Sequence, residues 1–286
     1  MLTGKRIVIT GGAGFVGSAL CKLLSQRNEV ISIDNYFTGT IQNHLAGVQY
    51  IKACASEIGN LGIGKVDHVF HLGEYSRVEQ SFEDWHFCLE NNSMPIINVL
   101  DFCFKNRAKL IYSGSSTRFT HDRIGPAQSP YALSKARNVE MVKAFGNWFG
   151  LEYAITYFYN VFGPNEISSG KYATVVGKFL QQKSLAKPLT VTLPGTQKRN
   201  FTHIDDIVAG IILVACKGQG DNFGIGNPQS YSIIELAKMI SDEITFADEK
   251  PGNRTDAELN CSKTIQLGWE PKVSLNSYIK DRLQSL

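Results

Sequence analysis

The chain has 286 residues, enough for one large domain with a smaller partner. Its hydrophobic content of 43% and charged content of 19% are ordinary for a folded protein and argue against extended disorder. The net charge of +3, with no long Lys/Arg run, argues against a nucleic-acid or polybasic membrane footprint.

Cys21, Cys54, Cys88, Cys103, Cys216 and Cys261 are scattered without ligand spacing, so neither a disulfide frame nor a zinc site is expected, and no metal. The N-terminal residues lack the long apolar stretch of a signal peptide, and no apolar run approaches the ~20 residues that cross a bilayer. A cytoplasmic protein is expected.

Arg6-Ile7-Val8-Ile9-Thr10 reads as a strand, followed by Gly11-Gly12-Ala13-Gly14-Phe15-Val16-Gly17 and a helical pattern through Leu20, Leu23 and Leu24. Glycines at 11, 14 and 17 permit a tight turn, close approach of backbone to a pyrophosphate, and close helix-to-strand packing. The helix N-terminus offers free N–H groups to the anion. A second strand, Val30 to Asp34, ends in an acid suited to an adenosine ribose and repulsive to a 2′-phosphate, which favours NAD over NADP.

Val66 to Leu72 and Lys109 to Ser113 read as further buried strands, with a helix from about Ser81 to Asn106 between them. The alternation predicts an α/β fold: a Rossmann-type, doubly wound parallel sheet with ligands at the carboxyl ends of its strands. Ser113-Gly114-Ser115-Ser116-Thr117 lies at such an end. Ser129 is a favoured N-cap and Pro130 suits the first helical position, so a helix is expected from here to about Phe149, stopped by Gly150. It places Tyr131 and Lys135 one turn apart on one face, where the ammonium favours ionisation of the phenol.

A strand from Tyr153 to Tyr159 leads to Asn160-Val161-Phe162-Gly163-Pro164, and after it the texture changes. A helix is expected at Thr174 to Leu185, strand signals lie around Leu189 to Leu193, and another helix at Ile233 to Ile244. The division drawn from this is a dinucleotide-binding domain over 1–164, with a return of the chain at about 201–217. A smaller, discontinuous C-terminal substrate-binding region takes 165–200 and 218–286.

These residues, with Arg199-Asn200-Phe201-Thr202-His203-Ile204-Asp205-Asp206 and Leu267-Gly268-Trp269-Glu270-Pro271, resemble the extended short-chain dehydrogenase/reductase family, in its NAD-dependent nucleotide-sugar epimerase/dehydratase branch. The resemblance covers nearly the entire chain. It implies that Tyr131 is the catalytic acid/base, that Lys135 holds the nicotinamide ribose, and that Ser115 hydrogen-bonds the reacting hydroxyl. It implies NAD contacts at Gly11, Gly14, Phe15, Val16, Gly17, Asp34, Asn35 and Leu72 besides Lys135. For a UDP- or GDP-linked sugar it implies Glu74, Ser76, Ser115, Ser116, Tyr131 and Asn160, with Arg199 and Arg254 gripping the diphosphate. Arginine suits that task because its planar fork binds two phosphate oxygens.

Departures from the family pattern narrow the expected reaction. Dehydratases resemble one another in an Asp-Glu pair after the catalytic hydroxyl, where this chain has Ser116-Thr117, so a 4,6-dehydratase is disfavoured. The acid that usually touches adenine is replaced near Cys54, and Glu74-Tyr75-Ser76-Arg77 replaces a small, apolar segment. The expected function is an NAD-dependent nucleotide-sugar epimerase acting at C4 through a keto intermediate. Its alternatives are a 4-dehydrogenase that releases the keto-sugar and, last, a non-catalytic NAD-sensing protein. The resemblance also implies a homodimer joined through the helices near 81–106 and 130–149.

Overall fold

A computed structural model describes residues 2–118, 128–249, 251 and 258–286, with Arg118 as backbone only. In chain order the elements are β1 (Arg6–Thr10), α1 (Phe15–Leu24), β2 (Glu29–Asp34), β3 (Val48–Lys52), β4 (His68–His71), α2 (Trp85–Asn106), β5 (Lys109–Ser115), α3 (Pro130–Phe149) and β6 (Tyr153–Phe158). There follow β7 (Val161–Phe162), α4 (Val175–Ser184), β8 (Leu189–Thr192), β9 (Lys198–Asn200), β10 (Thr202–His203), α5 (Ile204–Lys217) and β11 (Gly220–Ile225). The chain ends with β12 (Ser230–Ser232), α6 (Ile233–Ile240), β13 (Ile244–Ala247), α7 (Ser262–Gln266) and α8 (Leu275–Gln284).

The β-branched, two-face-buried strands build a seven-stranded sheet in the order β11-β6-β5-β4-β1-β2-β3, parallel throughout. One face is covered by α2 and α3, whose Ile96, Val99, Leu100, Val139 and Val142 pack on Val8, Val69, Leu110 and Ile155. The other is covered by α1 and α5, through Leu20, Leu24, Ile207 and Ile211 on Ile7, Ile9 and Ile111. Each such side chain contributes roughly 1.5–3 kcal/mol by leaving water. The strand order reverses between β1 and β4, so the crevice at their carboxyl ends is where this topology accepts a ligand.

Several elements differ from the sequence reading. The helix expected from Ser81 starts as α2 at Trp85, after a 3-10 turn over Glu79–Phe82, and the carboxylate of its N-cap residue Asp84 is taken by Tyr75, Tyr172 and Lys171 and does not cap it. The helix expected to reach Ile244 stops at Ile240, and Ile244–Ala247 instead pairs β8 as β13. The return expected at 201–217 runs on into β11, which pairs β6 at the sheet edge. β3, at the opposite edge, has no counterpart in the sequence reading.

A second core gathers Phe162, Val176, Phe179, Leu189, Val191, Phe201, Leu236, Leu275 and Ile279 beside the carboxyl edge of the sheet. Asp206 fastens the C-terminal segment to α5: its carboxylate accepts from Lys272 N and Val273 N, both at 3.0 Å, and its carbonyl from the Trp269 indole at 2.9 Å. Two motifs over sixty residues apart are thereby one structural unit.

Candidate active site

A cavity of about 400 Å³ opens along the carboxyl ends of β1, β4, β5 and β6 and is closed on its far side by residues 167 and 173–176. That size is within the usual range for small-molecule sites. At one end the turn after β1 is drawn tight. Gly11 has φ +74° and passes so close to the loop after β4 that a Cβ would lie 2.9 Å from Gly73 Cα. A Cβ on Gly17 would lie 2.0 Å from Gly11 O, so α1 can start this close to the turn only with glycine there.

Gly11, Gly14, Phe15, Val16 and Gly17 line this end together with Asp34, Asn35 and Leu72. Asp34 Oδ2 accepts from Ala13 N at 2.9 Å and Oδ1 from Tyr36 N at 2.8 Å, which fixes the acid beside the glycine turn. Asn35 is held by its own Asx turn to Phe37 N and reaches Asn91. A bare glycine turn, a helix N-terminus and a fixed acid at a sheet switch point fit a dinucleotide, and these residues would hold it. Cys54 does not line the cavity; it caps a 3-10 turn, its N–H donating to Glu57 at 2.7 Å.

At the other end Ser115, Tyr131 and Lys135 line the same cavity, all less than a tenth exposed. α3 begins as the sequence indicates, with Ser129 Oγ accepting from Ala132 N at 3.1 Å, and ends at Gly150 in the left-handed region. This N-cap sets the register that turns Tyr131 and Lys135 inward. Lys135 Nζ donates to Ser113 O at 2.6 Å and pairs with the Glu74 carboxylate at 2.5 Å. An ammonium has three protons, so one remains for a cofactor or substrate oxygen.

Glu74 is the centre of a buried polar knot. It accepts from Tyr112 Oη at 2.9 Å and Asn138 Nδ2 at 2.9 Å, and His71 Nε2 lies 3.2 Å away without aligned hydrogen-bond geometry. Burial alone would raise its pKa, yet the Lys135 charge and His71 together hold it below the usual carboxylate range. The residue expected among the substrate contacts thus has its carboxylate turned to Lys135. Tyr112, against the same carboxylate, is pushed well above the ordinary phenol range by burial and then by the Glu74 charge.

Ser115 Oγ accepts from Thr117 Oγ1 at 2.9 Å and Thr117 N at 3.3 Å, which leaves its own proton to donate into the cavity. Ser116 and Thr117 also line the cavity. Ser76 does too, as does Asn160, whose amide is fixed by Asn200 O at 3.1 Å. Arg199 lies on β9, outside the lining, with Nη1 on Lys198 O at 2.8 Å. Arg254 lies outside the described residues.

Thr117 is a lining residue that the sequence reading did not assign, and Arg77 is one that it named only within the departure Glu74 to Arg77. Arg77 Nε and Nη2 donate to Tyr172 O at 2.9 and 2.6 Å, tying the 165–174 segment over the cavity. Tyr75, Phe37, Phe87 and Tyr172 form an aromatic cluster there, with Tyr75 and Tyr172 both donating to Asp84. Among the described residues no group of three or more His, Cys, Asp or Glu is placed to hold a metal, and no helix is long and apolar enough to cross a membrane.

The chain is similar to known proteins over nearly its whole length. UDP-glucuronic acid decarboxylase 1 of Xenopus tropicalis is 28% identical over 296 residues, 95% of this chain and 69% of that protein. A putative UDP-glucose 4-epimerase of Methanocaldococcus jannaschii is 29% identical over 294 residues, 96% of each. The solved structure of UDP-N-acetylglucosamine 4-epimerase from Methanobrevibacter ruminantium, in complex with UDP-N-acetylmuramic acid, superposes with a TM-score of 0.90 at 26% identity, covering 99% of this chain and 98% of that one. The model of the NAD dependent epimerase/dehydratase family matches residues 7–226, and with the glycine turn, the fixed acid and the Ser115-Tyr131-Lys135 end in one cavity, the chain belongs to that NAD-dependent family.

Proposed function

We propose that the protein is a nucleotide-sugar 4-epimerase. The observation that carries this reading is that Ser115, Tyr131 and Lys135 face the same cavity as the glycine turn and Asp34, while positions 116 and 117 carry hydroxyls and no carboxylate. When bound, NAD supplies a hydride acceptor that can return the same hydride. Ser115 donates a hydrogen bond to the C4 oxygen and holds it against Tyr131. Tyr131 would take the hydroxyl proton when the sugar is oxidised at C4. With the keto-sugar turned in the cavity, re-reduction from its other face would be completed by Tyr131 giving the proton back, so that the cycle would close without net redox change. Asp34, Asn35 and Leu72 with the glycine turn would hold the dinucleotide, and Asn160, which lines the cavity, would meet the nucleoside diphosphate.

Tyr131→Phe tests this assignment, with turnover of UDP-glucose, UDP-N-acetylglucosamine and UDP-glucuronate followed by nuclear magnetic resonance. General acid–base catalysis contributes roughly 10²–10⁴-fold, so a loss of that order is expected. Unchanged turnover with every active substrate overturns the reading.

A second reading is supported by the curated relatives named as UDP-glucuronic acid decarboxylases. Oxidation at C4 of a uronic acid makes a β-keto acid, which loses carbon dioxide without any further residue type. Release of carbon dioxide with formation of a pentose product separates it from epimerisation.

A homodimer fits the surface. Met94, Ile97 and Phe104 on α2, and Trp148 and Phe149 on α3, are each more than two-fifths exposed, and the rings of Phe104 and Phe149 meet at 5.5 Å. One core-facing stripe per helix does not require these residues. A cytoplasmic setting accords with the six free cysteines.

A further inference from the structure

Among the described residues the charged groups lining the cavity are Asp34, Glu74, Arg77 and Lys135. Asp34 is met by backbone N–H groups, and Glu74 and Lys135 neutralise each other. Among the described residues Arg77 is met by neutral acceptors alone: Tyr172 O, and Ser76 O and Oγ at 3.1 and 3.2 Å. Among the described residues no carboxylate pairs with it. Carbonyl dipoles direct a guanidinium but leave its charge uncompensated, and burial draws the Arg77 pKa below the usual arginine range. Glu166 acts on it only through space, because its own carboxyl is engaged by the Thr174 hydroxyl and Gly163 N, and burial favours the neutral acid there.

The contacts also show what the guanidinium has left to offer. Of its five protons, Nε–H and one on Nη2 serve Tyr172, and those on Nη1 make the long Ser76 bonds. Among the described residues the second Nη2 proton has no partner, and a carboxylate could take it together with an Nη1 proton released from Ser76. Tyr131 packs in one cluster with Tyr75, Val78 and Tyr172, the residues that flank and hold Arg77, which puts the guanidinium at the end of the cavity where the reacting hydroxyl is held. An anion reaching it there is carried by the sugar; the diphosphate is assigned to the Asn160 side.

We propose that Arg77 receives a carboxylate borne by the sugar ring, so that the substrate is an acidic nucleotide sugar, a nucleoside-diphosphate uronic acid. The assignment rests on the reading of Tyr131 as the residue that faces the oxidised carbon. It serves epimerisation and decarboxylation alike, since both begin with the same oxidation.

The test compares UDP-glucuronate, UDP-galacturonate and UDP-glucose with the full-length enzyme and NAD, in the wild type and in Arg77→Gln and Arg77→Lys. Truncating one partner of a buried charge pair costs enough that the acid-to-neutral ratio of kcat/KM should fall at least about 30-fold in Arg77→Gln, mostly through KM, with partial rescue in Arg77→Lys. Calorimetric titration of the wild type with UDP, UDP-glucose and UDP-glucuronate gives an answer that needs no variant. Tighter binding of the uronate than of both others is expected, whereas equal binding of UDP and the uronate would place any anion contact at the diphosphate and overturn the proposal. A wild-type preference for UDP-glucose, or an unchanged ratio in Arg77→Gln, also overturns it. Failure of the Tyr131 reading looks different: Tyr131→Phe then turns over sugars normally while Arg77 still sets the ratio.

Discussion

Glu74 and Lys135 meet at 2.5 Å with both side chains almost fully enclosed, so the lysine of the Tyr131 helix enters the site already paired. Tyr112 and Asn138 occupy the other lone pairs of the carboxylate, which makes it a fixed acceptor aimed at the ammonium. The ammonium is held in place at the expense of part of its field at Tyr131.

The first prediction concerns acid stability. The Glu74 pKa is depressed in the folded state, so its contribution is fully present above the ordinary value of 4.5 and is lost as pH falls towards about 2. Glu74→Gln removes one partner of a buried pair and should destabilise the protein by roughly 3 kcal/mol near neutral pH. Urea denaturation at pH 7 and near pH 3 should show the gap between wild type and variant narrowing at the lower pH. Parallel stability curves would show that the pair contributes nothing to folding.

The second concerns Thr117, whose hydroxyl and N–H both donate to Ser115 Oγ. Thr117→Val removes the shorter bond and frees the serine to turn. Misorientation of a catalytic group should lower kcat about ten-fold with KM nearly unchanged. Because Thr117 acts through Ser115, Thr117→Val added to Ser115→Ala should cost little more than Ser115→Ala alone. Additive losses would place Thr117 in direct contact with substrate.

The third concerns cofactor choice. Asp34 sits 2.9 Å from Ala13 N and 2.8 Å from Tyr36 N, at the end of β2. Asp34→Asn keeps one acceptor and removes the charge that repels a 2′-phosphate. Fluorescence titrations with NADH and NADPH should show weaker NADH binding, by about ten-fold, and a smaller preference for NADH over NADPH. An unchanged ratio would mean that Asp34 fixes the turn without facing the adenosine ribose.

What could be read in the sequence follows from how local each signal is. The glycine turn and the Ser129-Pro130 helix start are set by adjacent residues, so the positions of Gly17, Tyr131 and Lys135 on their elements are legible without the fold. β3 escaped because Val48–Lys52 is a half-exposed edge strand with no strong alternation. β11 escaped because Gly220, Asp221 and Asn222 disfavour a strand, and the pairing of Phe223 to Ile225 with β6 supplies what propensity lacks. Glu74 was legible as an odd charge after β4, but its partner lies on a helix that only the fold brings near. Arg77 was legible within the charged and aromatic stretch Glu74 to Arg77 that replaces a small, apolar segment, but not by itself as a lining residue. Its meaning depends on which acceptors surround it.

The last prediction concerns the outer faces of α2 and α3. Met94 and Trp148 are 57% and 69% exposed, so replacing either costs the folded monomer little, whereas a carboxylate at either place would be buried against a partner helix in a dimer. Met94→Glu and Trp148→Glu should therefore shift a dimer towards monomer, with dissociation constants raised at least about 30-fold, as expected for loss of an apolar anchor. Sedimentation velocity over a concentration series measures this directly. Ile265→Glu is the control: Ile265 is 55% exposed on α7, away from these helices, and its replacement should leave association unchanged. If all three variants sediment like the wild type, the apolar faces of α2 and α3 have no part in assembly. If Ile265→Glu alone dissociates the protein, the interface lies on the side of the sheet edge formed by β11, against which α7 packs.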